Sequence, residues 1–424
     1  MLESSLSFTR RFIPKSLYTF FQPAYHWSLS LLGTIFYGFP SKEINVIAVT
    51  GTKGKSSTVE LISAFLEASG KKTALTNTIR FKIGNNSREN LYKMSMPGRF
   101  FMQKFLREAV REKCDVAVLE MTSQGAEKFR HKWIDLDTFV FTNLSPEHIE
   151  AHGSYKNYKD AKLAIVRSLS RSVKRPRTIV ANGDDKESAD FLNFPVESKI
   201  IFSKSNVEPV TYSPGGINFS LSGKQVHSHL IGEFNLYNIL AAISTARTYG
   251  VSDQIIEKVL GTFTGIPGRV EKILPSNGKS VPFSVIVDYA HTADSLEKLY
   301  KSFNTRRICV LGGTGGGRDT QKRSVMGSLA DHYCEEIILT DEDPYDEDPQ
   351  TIVEDIKKGI RDHSPKIIMD RREAIRTALS LAKPGDTVLI SGKGTDPFIM
   401  GPRGSKIPWS DATVAREEID KARS

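Results

Sequence analysis

The sequence predicts two consecutive α/β domains, the first of them built on a parallel, doubly wound sheet. Strand-like apolar runs alternate with helical patterns along most of the chain, which is the element order of a parallel sheet covered by helices. The first run, Val46–Thr50, stops at a glycine-rich turn, and an amphipathic helical pattern follows it. The turn-rich stretch Gly265–Arg269 separates this set from a second one and predicts a domain boundary.

The individual elements follow from the spacing of apolar residues. In the first domain we predict strands and two intervening helices: strands Val46–Thr50, Val116–Glu120, Thr138–Thr142, Thr178–Ala181 and Lys199–Phe202, and helices Phe100–Lys113 and Tyr158–Ser168. A second, Rossmann-like α/β domain is predicted from the strands Ser284–Asp288, Arg307–Leu311, Glu336–Thr340, Lys366–Met369 and Thr387–Ser391. The expected organisation is an aromatic-rich helical segment at 1–43, a central domain at 44–268 and a C-terminal domain at 269–424.

The turn after the first strand predicts a phosphate-binding loop, or P-loop. It contains the pattern Gly51-x-x-Gly54-Lys55-Ser56, which is half of the common signature because Val49 stands where the first glycine would be. Glycines let backbone N–H groups approach an anion, and the following helix N-terminus adds its dipole. The lysine supplies a positive charge and the serine hydroxyl can bind magnesium. The alternative is an ordinary strand–helix turn.

Composition narrows the class of ligand. The 424 residues are 39% hydrophobic and carry 58 Lys and Arg against 49 Asp and Glu, a net charge of +9. The basic residues are scattered, so we expect small anionic ligands and no nucleic acid, although a generally basic surface would look the same. The cysteines Cys114, Cys309 and Cys334 form no metal-spaced pair, and no signal sequence is recognised. These features indicate a reducing compartment and a cytoplasmic protein.

The N-terminal segment is apolar and aromatic. Residues 16–41 contain no Asp, Glu, Lys or Arg, and Pro23 is expected to break or kink a helix there. Three interpretations stay open: a helix packed on the next domain, an interfacial amphipathic helix, and a membrane span. We therefore expect a protein or peripheral membrane contact through residues 16–41.

Three further residues of the first domain are candidates for metal binding. Glu120 ends a buried strand, where its carboxylate can reach a metal bound to the loop. His148 follows the next strand, and Lys162 lies in a helical pattern. From the residues alone, the histidine could equally be structural and the lysine part of a solvated face.

These motifs resemble, in order and spacing, those of the Mur ligase family, which uses ATP to join a carboxylate to an amine in peptidoglycan precursor assembly. The stretches that carry the resemblance are Thr50–Ser57, Glu120–Ser123, Thr142–Ser145 with His148, Tyr158-x-x-Ala161-Lys162, and Gly232-x-x-Asn235-x-x-Asn238. The resemblance implies two Mg²⁺ ions held by Ser56, Glu120, His148 and Lys162. Lys162 would be carbamylated by CO₂, which turns its amine into an oxygen ligand. The implied catalytic residues are Lys55, Glu120, His148 and Lys162.

The same resemblance implies the remaining ATP contacts. Asn235 and Asn238 would lie near the adenine, although Asn235 could also be a helix N-cap. Arg269 would reach the ATP phosphates when the domains close. The full implied ATP set is Gly51, Thr52, Lys53, Gly54, Lys55, Ser56, Ser57, Asn235, Asn238, Arg269, Asp288 and His291.

The C-terminal motifs resemble the branch that attaches a diamino acid to UDP-N-acetylmuramoyl-dipeptide. They are Asp288–Thr292, Gly312–Asp319, Thr340–Pro349 and Gly392–Asp396. Arg318 would hold the carboxylate of the incoming amino acid, because a guanidinium matches a carboxylate bidentately. Gly392 and Asp396 would bind its amino end, and the segment Glu342, Asp343, Pro344 and Tyr345 would contact its side chain.

The chain departs from this branch in three places. Diaminopimelate-adding members have an arginine where Tyr345 stands, and Glu342 and Asp343 could pair with a side-chain ammonium, so lysine or a similar diamine is favoured. Thr395 and Asp396 replace His and Glu of the branch pattern. The usual UDP-binding domain before the P-loop has no counterpart in residues 1–43, whereas Ser95, Met96, Thr122 and Arg130 stand at acceptor-contacting positions.

The function expected from this resemblance is an ATP-dependent amide ligase that acts through an acyl phosphate. Its expected partners are ATP, an amino acid and a UDP-muramoyl-peptide, and we expect a monomer. The alternatives are a folylpolyglutamate synthase, a ligase-like partner of an amidotransferase, and a nucleotide-binding scaffold without catalysis. The motif Asp288–Thr292 favours the muramoyl branch over the folate enzyme, and the intact Lys55 and Lys162 argue against a scaffold.

Overall fold

A computed structural model of the chain describes residues 15–147, 149–278, 281–317 and 320–422. These residues fall into two compact units. The first lies within Met1–Ser203 together with Asn238–Ser252, and the second within Lys204–Tyr237 together with Asp253–Ser424.

The first unit contains one mixed sheet and the helices that cover it. Its strands are β1 (Asn45–Thr50), β2 (Thr73–Thr76), β3 (Arg80–Ile83), β4 (Asn86–Glu89), β5 (Val116–Glu120), β6 (Thr138–Phe141), β7 (Thr178–Asn182) and β8 (Ser198–Phe202). Its helices are α1 (Lys15–Phe36), α2 (Lys55–Ala68), α3 (Arg99–Arg111), α4 (Ser123–Glu127), α5 (Ile149–His152), α6 (Tyr155–Arg171) and α7 (Ser188–Leu192). One further helix, α8 (Glu233–Thr248), begins in the second unit and continues into the first.

The order of strands places β1 at the centre of the sheet. The order is β4-β3-β2-β5-β1-β6-β7-β8, and all neighbours from β2 to β8 pair in parallel. The chain first adds strands on one side of β1 and then adds β6, β7 and β8 on the other side. The sheet therefore has a topological switch point at β1. Because the strands are parallel, the residues that follow β1, β5 and β6 meet at one edge of the sheet. The predicted doubly wound sheet is confirmed, with small differences at strand ends.

The antiparallel edge formed by β3 and β4 has no counterpart among the predicted elements. Both strands are short, and β4 is exposed and polar along its whole length. Its sequence therefore lacks the apolar alternation by which a strand is recognised.

Helix α1 packs on α3 through its C-terminal half, which agrees with the first of the three interpretations of the N-terminal segment. It continues through Pro23, so Pro23 does not end the helix, and the predicted kink stays a prediction. Pro23 is exposed, and the carbonyl that loses its helical partner can be satisfied by water. Among the described residues, no helix is long and apolar enough to cross a membrane.

The second unit contains a six-stranded sheet with helices, a three-stranded antiparallel sheet and a two-stranded hairpin. Its strands are β9 (Thr211–Ser213), β10 (Gly216–Leu221), β11 (Lys224–Ser228), β12 (Glu271–Lys272), β13 (Ser284–Asp288), β14 (Arg307–Leu311), β15 (Glu336–Leu339), β16 (Lys366–Ile367), β17 (Thr387–Ser391), β18 (Phe398–Met400) and β19 (Lys406–Pro408). Its helices are α9 (Asp253–Thr262), α10 (Ala293–Lys301), α11 (Gln321–Tyr333), α12 (Pro349–Lys357), α13 (Arg371–Leu381) and α14 (Asp411–Lys421).

The main sheet of the second unit has the order β12-β13-β17-β14-β15-β16. All its pairings are parallel except that of β12 with β13. The loops after β13, β14, β15 and β17 therefore lie at one edge, and all four carry predicted site residues. The predicted Rossmann-like domain is confirmed. The meander β9–β11 and the hairpin β18–β19 were not predicted.

Two of the three cysteines form a disulfide. Cys309 in β14 is bonded to Cys334 at the end of α11, whereas Cys114 is a buried free thiol. The reducing compartment indicated by the cysteine spacing does not agree with this pair. The two cysteines are 25 residues apart and come together only because α11 packs beside β14.

Candidate active site

The P-loop of the first unit connects β1 to α2. Gly51 and Gly54 have positive φ angles of 154° and 80°, a conformation that side-chain-bearing residues rarely adopt. A Cβ on Gly51 would lie 2.0 Å from Thr142 Oγ1, and one on Gly54 would lie 2.0 Å from Asn238 Oδ1. Lys55 Nζ folds back over the loop and donates to the carbonyl oxygens of Gly51 at 3.1 Å and Thr52 at 2.8 Å. Glycine is therefore required at both positions.

Two oxygen donors lie side by side at the start of α2. Ser56 Oγ donates to Glu120 Oε2 at 2.6 Å and lies 2.8 Å from Thr78 Oγ1. Glu120 is buried at the end of β5 and also accepts from Thr78 N at 3.3 Å. A hydroxyl and a buried carboxylate form the donor set that Mg²⁺ prefers. Thr78, which sequence analysis did not identify, is the third residue of this cluster.

The position of Lys162 is difficult to explain by a structural role. Its side chain in α6 is 1% exposed, and its Nζ donates to Gly51 O at 2.6 Å. Burial, followed by the positive charge of Lys55, lowers the pKa of Lys162 well below its usual value. The ring of Tyr158 lies 4.7 Å from Nζ, and the Tyr158 hydroxyl lies 3.0 Å from Thr52 Oγ1. Lys162 is therefore a buried amine that touches the P-loop and whose charged form is disfavoured by burial.

His148, the fourth predicted metal ligand, lies outside the described residues. Within the part of the chain that the structure describes, no three His, Cys, Asp or Glu side chains cluster as a metal site. This does not conflict with the predicted ligand set, in which serine and lysine supply two of the four side chains.

The loop after β6 holds the P-loop in place. Asn143 accepts a hydrogen bond from Lys53 N at 2.9 Å and donates to Lys53 O at 3.1 Å. The Lys53 ammonium pairs with Glu147 at 2.7 Å. Sequence analysis quoted Asn143 only as part of a motif and gave Glu147 no role, because neither residue type is specific without its contact.

The two asparagines of α8 make different contacts. Asn238 packs against Gly54, as the close approach of its Oδ1 shows. Asn235 donates through Nδ2 to Ile231 O at 2.8 Å. It lies inside the helix, which begins at Glu233, so the alternative in which it caps the helix is wrong.

The predicted acceptor residues of the first unit converge. Arg130 Nη1 donates to Met96 O, and a Cβ on Gly125 would lie 2.5 Å from Met96 Sδ. Thr122 caps α4 by accepting from Gly125 N at 3.1 Å. Ser95 is buried, and among the described residues its hydroxyl has no hydrogen-bond partner. These four predicted positions therefore lie around one short segment.

In the second unit, the predicted ATP contacts surround the end of β13. The guanidinium of Arg269 lies 4.4 Å from the Tyr289 ring centre, and its Nη1 donates to Gly268 O at 2.9 Å. Asp288 accepts from Val270 N and Ala290 N, both at 2.7 Å. His291 Nδ1 donates to the Tyr289 carbonyl at 2.7 Å, so Nδ1 carries a proton.

Glu342 is buried at the carboxyl edge of the second sheet, and among the described residues it has no ion-pair partner. It is 2% exposed, and Thr314 Oγ1 donates to its Oε1 at 3.1 Å. Among the described residues, its Oε2 has no hydrogen-bond partner. Burial raises the pKa of Glu342 to about 7. A Cβ on Gly392 would lie 2.1 Å from Oε2, so the glycine is required beside this carboxyl group.

Asp343, by contrast, is already paired. Its Oδ1 accepts from Lys393 Nζ at 2.7 Å and from Met400 N at 2.8 Å, and Lys393 is fully buried. Asp396 lies 3.6 Å from the same ammonium. We predicted that Glu342 and Asp343 could both pair with a substrate ammonium. Among the described residues, Asp343 already pairs with Lys393, whereas Glu342 has an oxygen without a hydrogen-bond partner.

The neighbouring predicted positions lie on either side of Glu342. Pro344 O approaches Gly315 to within 2.2 Å of where a Cβ would stand, and Tyr345 has a left-handed φ of 54°. Arg318 lies outside the described residues.

Sequence analysis missed Arg371, a buried residue that donates to Ser391 O at 2.8 Å and pairs with Asp411 at 2.7 Å. No motif marked it, because its partners lie on distant segments.

Family models match both units. A model described as the Mur ligase middle domain matches residues 49–246, and one described as the Mur ligase, glutamate ligase domain matches residues 268–394. Their combined length is most of the chain.

Relatives match nearly the whole sequence. The UDP-N-acetylmuramoyl-L-alanyl-D-glutamate–2,6-diaminopimelate ligase of Syntrophomonas wolfei is 36% identical, over 92% of this chain and 81% of the relative. The UDP-N-acetylmuramyl-tripeptide synthetase of Borreliella burgdorferi is 35% identical, over 92% of this chain and 79% of the relative.

Solved structures agree with this relation. A structure of a UDP-N-acetylmuramoyl-L-alanyl-D-glutamate–2,6-diaminopimelate ligase superposes with a TM-score of 0.63 at 30% identity, over 90% of this chain and 79% of the other. The folylpolyglutamate synthase of Mycobacterium tuberculosis gives a TM-score of 0.69 at 15% identity, over 87% and 92%, which shows a shared fold. The chain therefore belongs to the Mur ligase family, whose members are ATP-dependent ligases that form amide bonds.

Proposed function

We propose that this protein adds a diamino acid to UDP-N-acetylmuramoyl-dipeptide, with ATP as the energy source. The observation that carries the proposal is Lys162, a fully buried amine in contact with the P-loop whose pKa is strongly lowered. An unmodified lysine gains little from this position, because burial disfavours its charge and its amine makes one hydrogen bond among the described residues. The names of the relatives support the choice of substrates.

The first step activates the acceptor carboxylate. A carboxylate oxygen attacks the γ-phosphorus of ATP, the bond to the β-phosphate oxygen breaks, and ADP leaves with that electron pair. Lys55 and Arg269 offset the negative charge that builds up on the phosphates. The backbone N–H groups at the start of α2 bind the phosphate oxygens.

The donors present fit Mg²⁺, since Ser56 and Glu120 place two oxygens 2.6 Å apart in a buried site. We propose that these residues hold one ion and that His148 and Lys162 contribute to a second. When bound, the ions supply Lewis-acid charge that neutralises the transferring phosphoryl group.

We further propose that CO₂ adds to the neutral Lys162 amine. The nitrogen lone pair forms an N–C bond to CO₂, and the nitrogen loses one proton, which gives a carbamate whose single negative charge is shared by two oxygens. This requires an uncharged amine, and the lowered pKa of Lys162 favours that form. The carbamate converts a residue with no oxygen into one that a hard cation accepts.

The second step forms the amide bond. The amino acid's amine attacks the acyl carbon, loses a proton, and the tetrahedral intermediate expels phosphate. Arg318 would hold the α-carboxylate, and Gly392 and Asp396 would contact the amino end. We propose that Glu342 selects the distal ammonium of the side chain, since its Oε2 has no partner among the described residues.

This choice favours lysine or a similar diamine over diaminopimelate. Diaminopimelate carries a second carboxylate, for which Tyr345 provides no positive charge. The acceptor would lie near Ser95, Met96, Thr122 and Arg130, the positions that converge in the first unit. We propose that the enzyme acts as a monomer and that residues 16–41 form a contact surface outside the reaction.

The test is phosphate release from ATP with defined pairs of substrates. UDP-muramoyl-dipeptide or folate is supplied as acceptor, together with lysine, diaminopimelate, glutamate or norleucine, which is a lysine analogue that lacks the distal amine. We expect release with the muramoyl acceptor and lysine, and little with norleucine. Release only with folate and glutamate would instead identify a folylpolyglutamate synthase, and no release with any pair would indicate a nucleotide-binding scaffold.

A matched pair of variants tests the role of Glu342. Glu342→Gln keeps the size of the side chain and removes its charge, so it should raise KM for lysine about 10- to 100-fold and abolish discrimination against norleucine. The control is Glu354→Gln, which alters an exposed carboxylate 3.8 Å from Lys357. Undiminished discrimination in Glu342→Gln would exclude this residue as the selector.

A further inference from the structure

Helix α1 has its polar side directed toward the protein. Within residues 21–36 of this helix, the buried residues are small or polar: His26, Ser30, Gly33 and Thr34. Their spacing of three or four positions places them on one helix face. Ser30 Oγ donates to Phe129 O at 2.7 Å and Thr34 Oγ1 donates to Ser30 O at 2.8 Å, so both hydroxyls are satisfied. An ordinary surface helix has the reverse arrangement, with its apolar stripe inward.

The outward face of α1 is apolar and aromatic. Its large side chains are between 37% and 74% exposed, and they are Phe21, Tyr25, Trp27, Leu32, Ile35 and Phe36. Single exposed apolar residues are ordinary on a protein surface, but a contiguous set usually marks an interaction site. The face extends over about 22 Å, from the rise of 1.5 Å per residue between Phe21 and Phe36.

The exposed face continues onto neighbouring residues of the same unit. The Trp27 and Trp133 rings meet edge to face at 5.4 Å, and Phe36 lies 6.5 Å from Phe100. Phe39, Phe100 and Trp133 are themselves exposed. We call this surface the α1 patch, and its members are Phe21, Tyr25, Trp27, Leu32, Ile35, Phe36, Phe39, Phe100 and Trp133.

The sequence segment that contains α1 is basic. Residues 4–42 contain Arg10, Arg11, Lys15 and Lys42 and no Asp or Glu, so this segment carries a formal charge of +4. Lys42 is exposed, and its ammonium lies 4.8 Å from the ring centre of Phe39 within the patch. Basic residues beside aromatic side chains are the combination that suits the interface of a membrane containing anionic lipids.

We propose that the α1 patch docks on the surface of a lipid bilayer that contains anionic lipids. The helix would lie in the plane of the interface, with its aromatic and aliphatic side chains between the head groups and its polar face on α3. Two features favour lipid over a protein partner. Trp and Tyr concentrate at membrane interfaces, and the positive charge of residues 4–42 has no internal counter-charge in that segment. The proposal does not depend on the ligase reaction or its substrates.

The experiment is flotation of the full chain with vesicles. One set of vesicles contains phosphatidylcholine with phosphatidylglycerol, and the other contains phosphatidylcholine alone. We expect binding to the anionic set at least about 10-fold tighter than to the neutral set, and weaker binding as salt is added. The double substitution Leu32→Ser with Phe36→Ser should weaken binding to anionic vesicles about 10-fold or more, because both side chains leave the lipid.

The control substitution is Ile201→Ser, which removes an apolar side chain that is 56% exposed on β8 and lies outside the patch. It should leave vesicle binding unchanged, and thermal melting should show that all variants are folded. Equal binding of wild type and the double variant would overturn the proposal. Absence of vesicle binding, together with self-association that the double variant abolishes, would show instead that a second copy of the chain covers the patch.

Discussion

Each unit of this protein buries an ionisable side chain whose pKa is shifted by burial, and the two residues have opposite chemistry. In the first unit Lys162 is a base whose pKa is lowered, and in the second Glu342 is an acid whose pKa is raised to about 7. Neither has an ion-pair partner among the described residues. Burial alone explains the direction of both shifts, because it disfavours the charged form of each group.

The difference lies in how their polar atoms are satisfied. Lys162 Nζ donates to Gly51 O, so the amine is accommodated as a neutral group. Glu342 has one oxygen bonded to Thr314 and one with no partner among the described residues. A buried oxygen of this kind is costly to leave unpaired. We therefore expect a reaction at the amine in the first site, and in the second a ligand that brings a hydrogen-bond donor.

The largest effect is expected from removing the amine of the first unit. Lys162→Ala should reduce ligase turnover about a thousandfold, because the metal loses the oxygens of the proposed carbamate. Short carboxylates such as acetate should restore part of the rate by supplying the missing oxygens. Turnover is measured as phosphate release with the muramoyl acceptor and lysine.

The matched control is Lys156→Ala, which changes an exposed lysine in the same helix. It should keep the wild-type rate. Wild-type turnover in Lys162→Ala would refute the carbamate, and a loss that no carboxylate restores would indicate that the amine acts in another way. Mass spectrometry of protein held under CO₂ and trapped chemically would detect the modification independently.

The acid of the second unit should affect stability as a function of pH. The pKa of Glu342 is about 7 in the folded protein against 4.5 for an ordinary glutamate, so the unfolded state releases its proton first as pH rises. Below pH 4.5 this group contributes nothing, and between pH 4.5 and 7 it lowers the free energy of unfolding. The full loss is about 3 kcal/mol at pH 8.

Glu342→Gln should remove this loss. Urea denaturation at pH 5 and at pH 8 should show a variant that is stabilised relative to wild type by about 3 kcal/mol more at pH 8 than at pH 5. Saturating lysine should narrow this gap if its ammonium pairs with the carboxylate. An unchanged pH dependence in the variant would show that Glu342 is ionised at neutral pH.

His131 is a third buried ionisable residue, and it shows the effect of burial on a pKa outside the proposed binding residues. His131 is 2% exposed, neither ring nitrogen has a partner among the described residues, and burial lowers its pKa to about 3. The folded protein keeps this imidazole neutral while the unfolded chain takes up a proton below pH 6.5. The first unit should therefore lose about 2 kcal/mol of stability between pH 7 and pH 5.

His131→Leu should abolish that part of the pH dependence, because it removes the titrating group without breaking a hydrogen bond. Urea denaturation at the two pH values checks the change, and activity at neutral pH should be unaffected. A variant with the wild-type pH dependence would assign the loss to other groups.

Sequence patterns predicted the sheets better than they predicted the second site. The parallel strands are buried apolar runs, which the sequence shows directly. The P-loop, Glu120 and the Tyr158–Lys162 motif have fixed spacing, so their positions could be predicted from the sequence. The contact that distinguishes Glu342 from Asp343 could not, because it depends on Lys393 and Met400, which come from distant segments. The edge strands β3 and β4 and the inverted polarity of α1 were missed for the same reason: the partner, rather than the local pattern, determines them.

The smallest effect should come from the residue beside Glu342 that departs from the diaminopimelate-adding branch. Tyr345→Arg would place a guanidinium where that branch has one, and should shift the ratio of kcat/KM values for diaminopimelate over lysine by about 10-fold toward diaminopimelate. Tyr345 has a left-handed φ of 54°, and an arginine at this position would adopt the same angle, so the substitution adds little backbone strain. Competition between the two amino acids under limiting ATP measures the ratio. An unchanged ratio in Tyr345→Arg would show that residue 345 does not determine the choice between lysine and diaminopimelate, which both carry a distal ammonium and differ in the distal carboxylate.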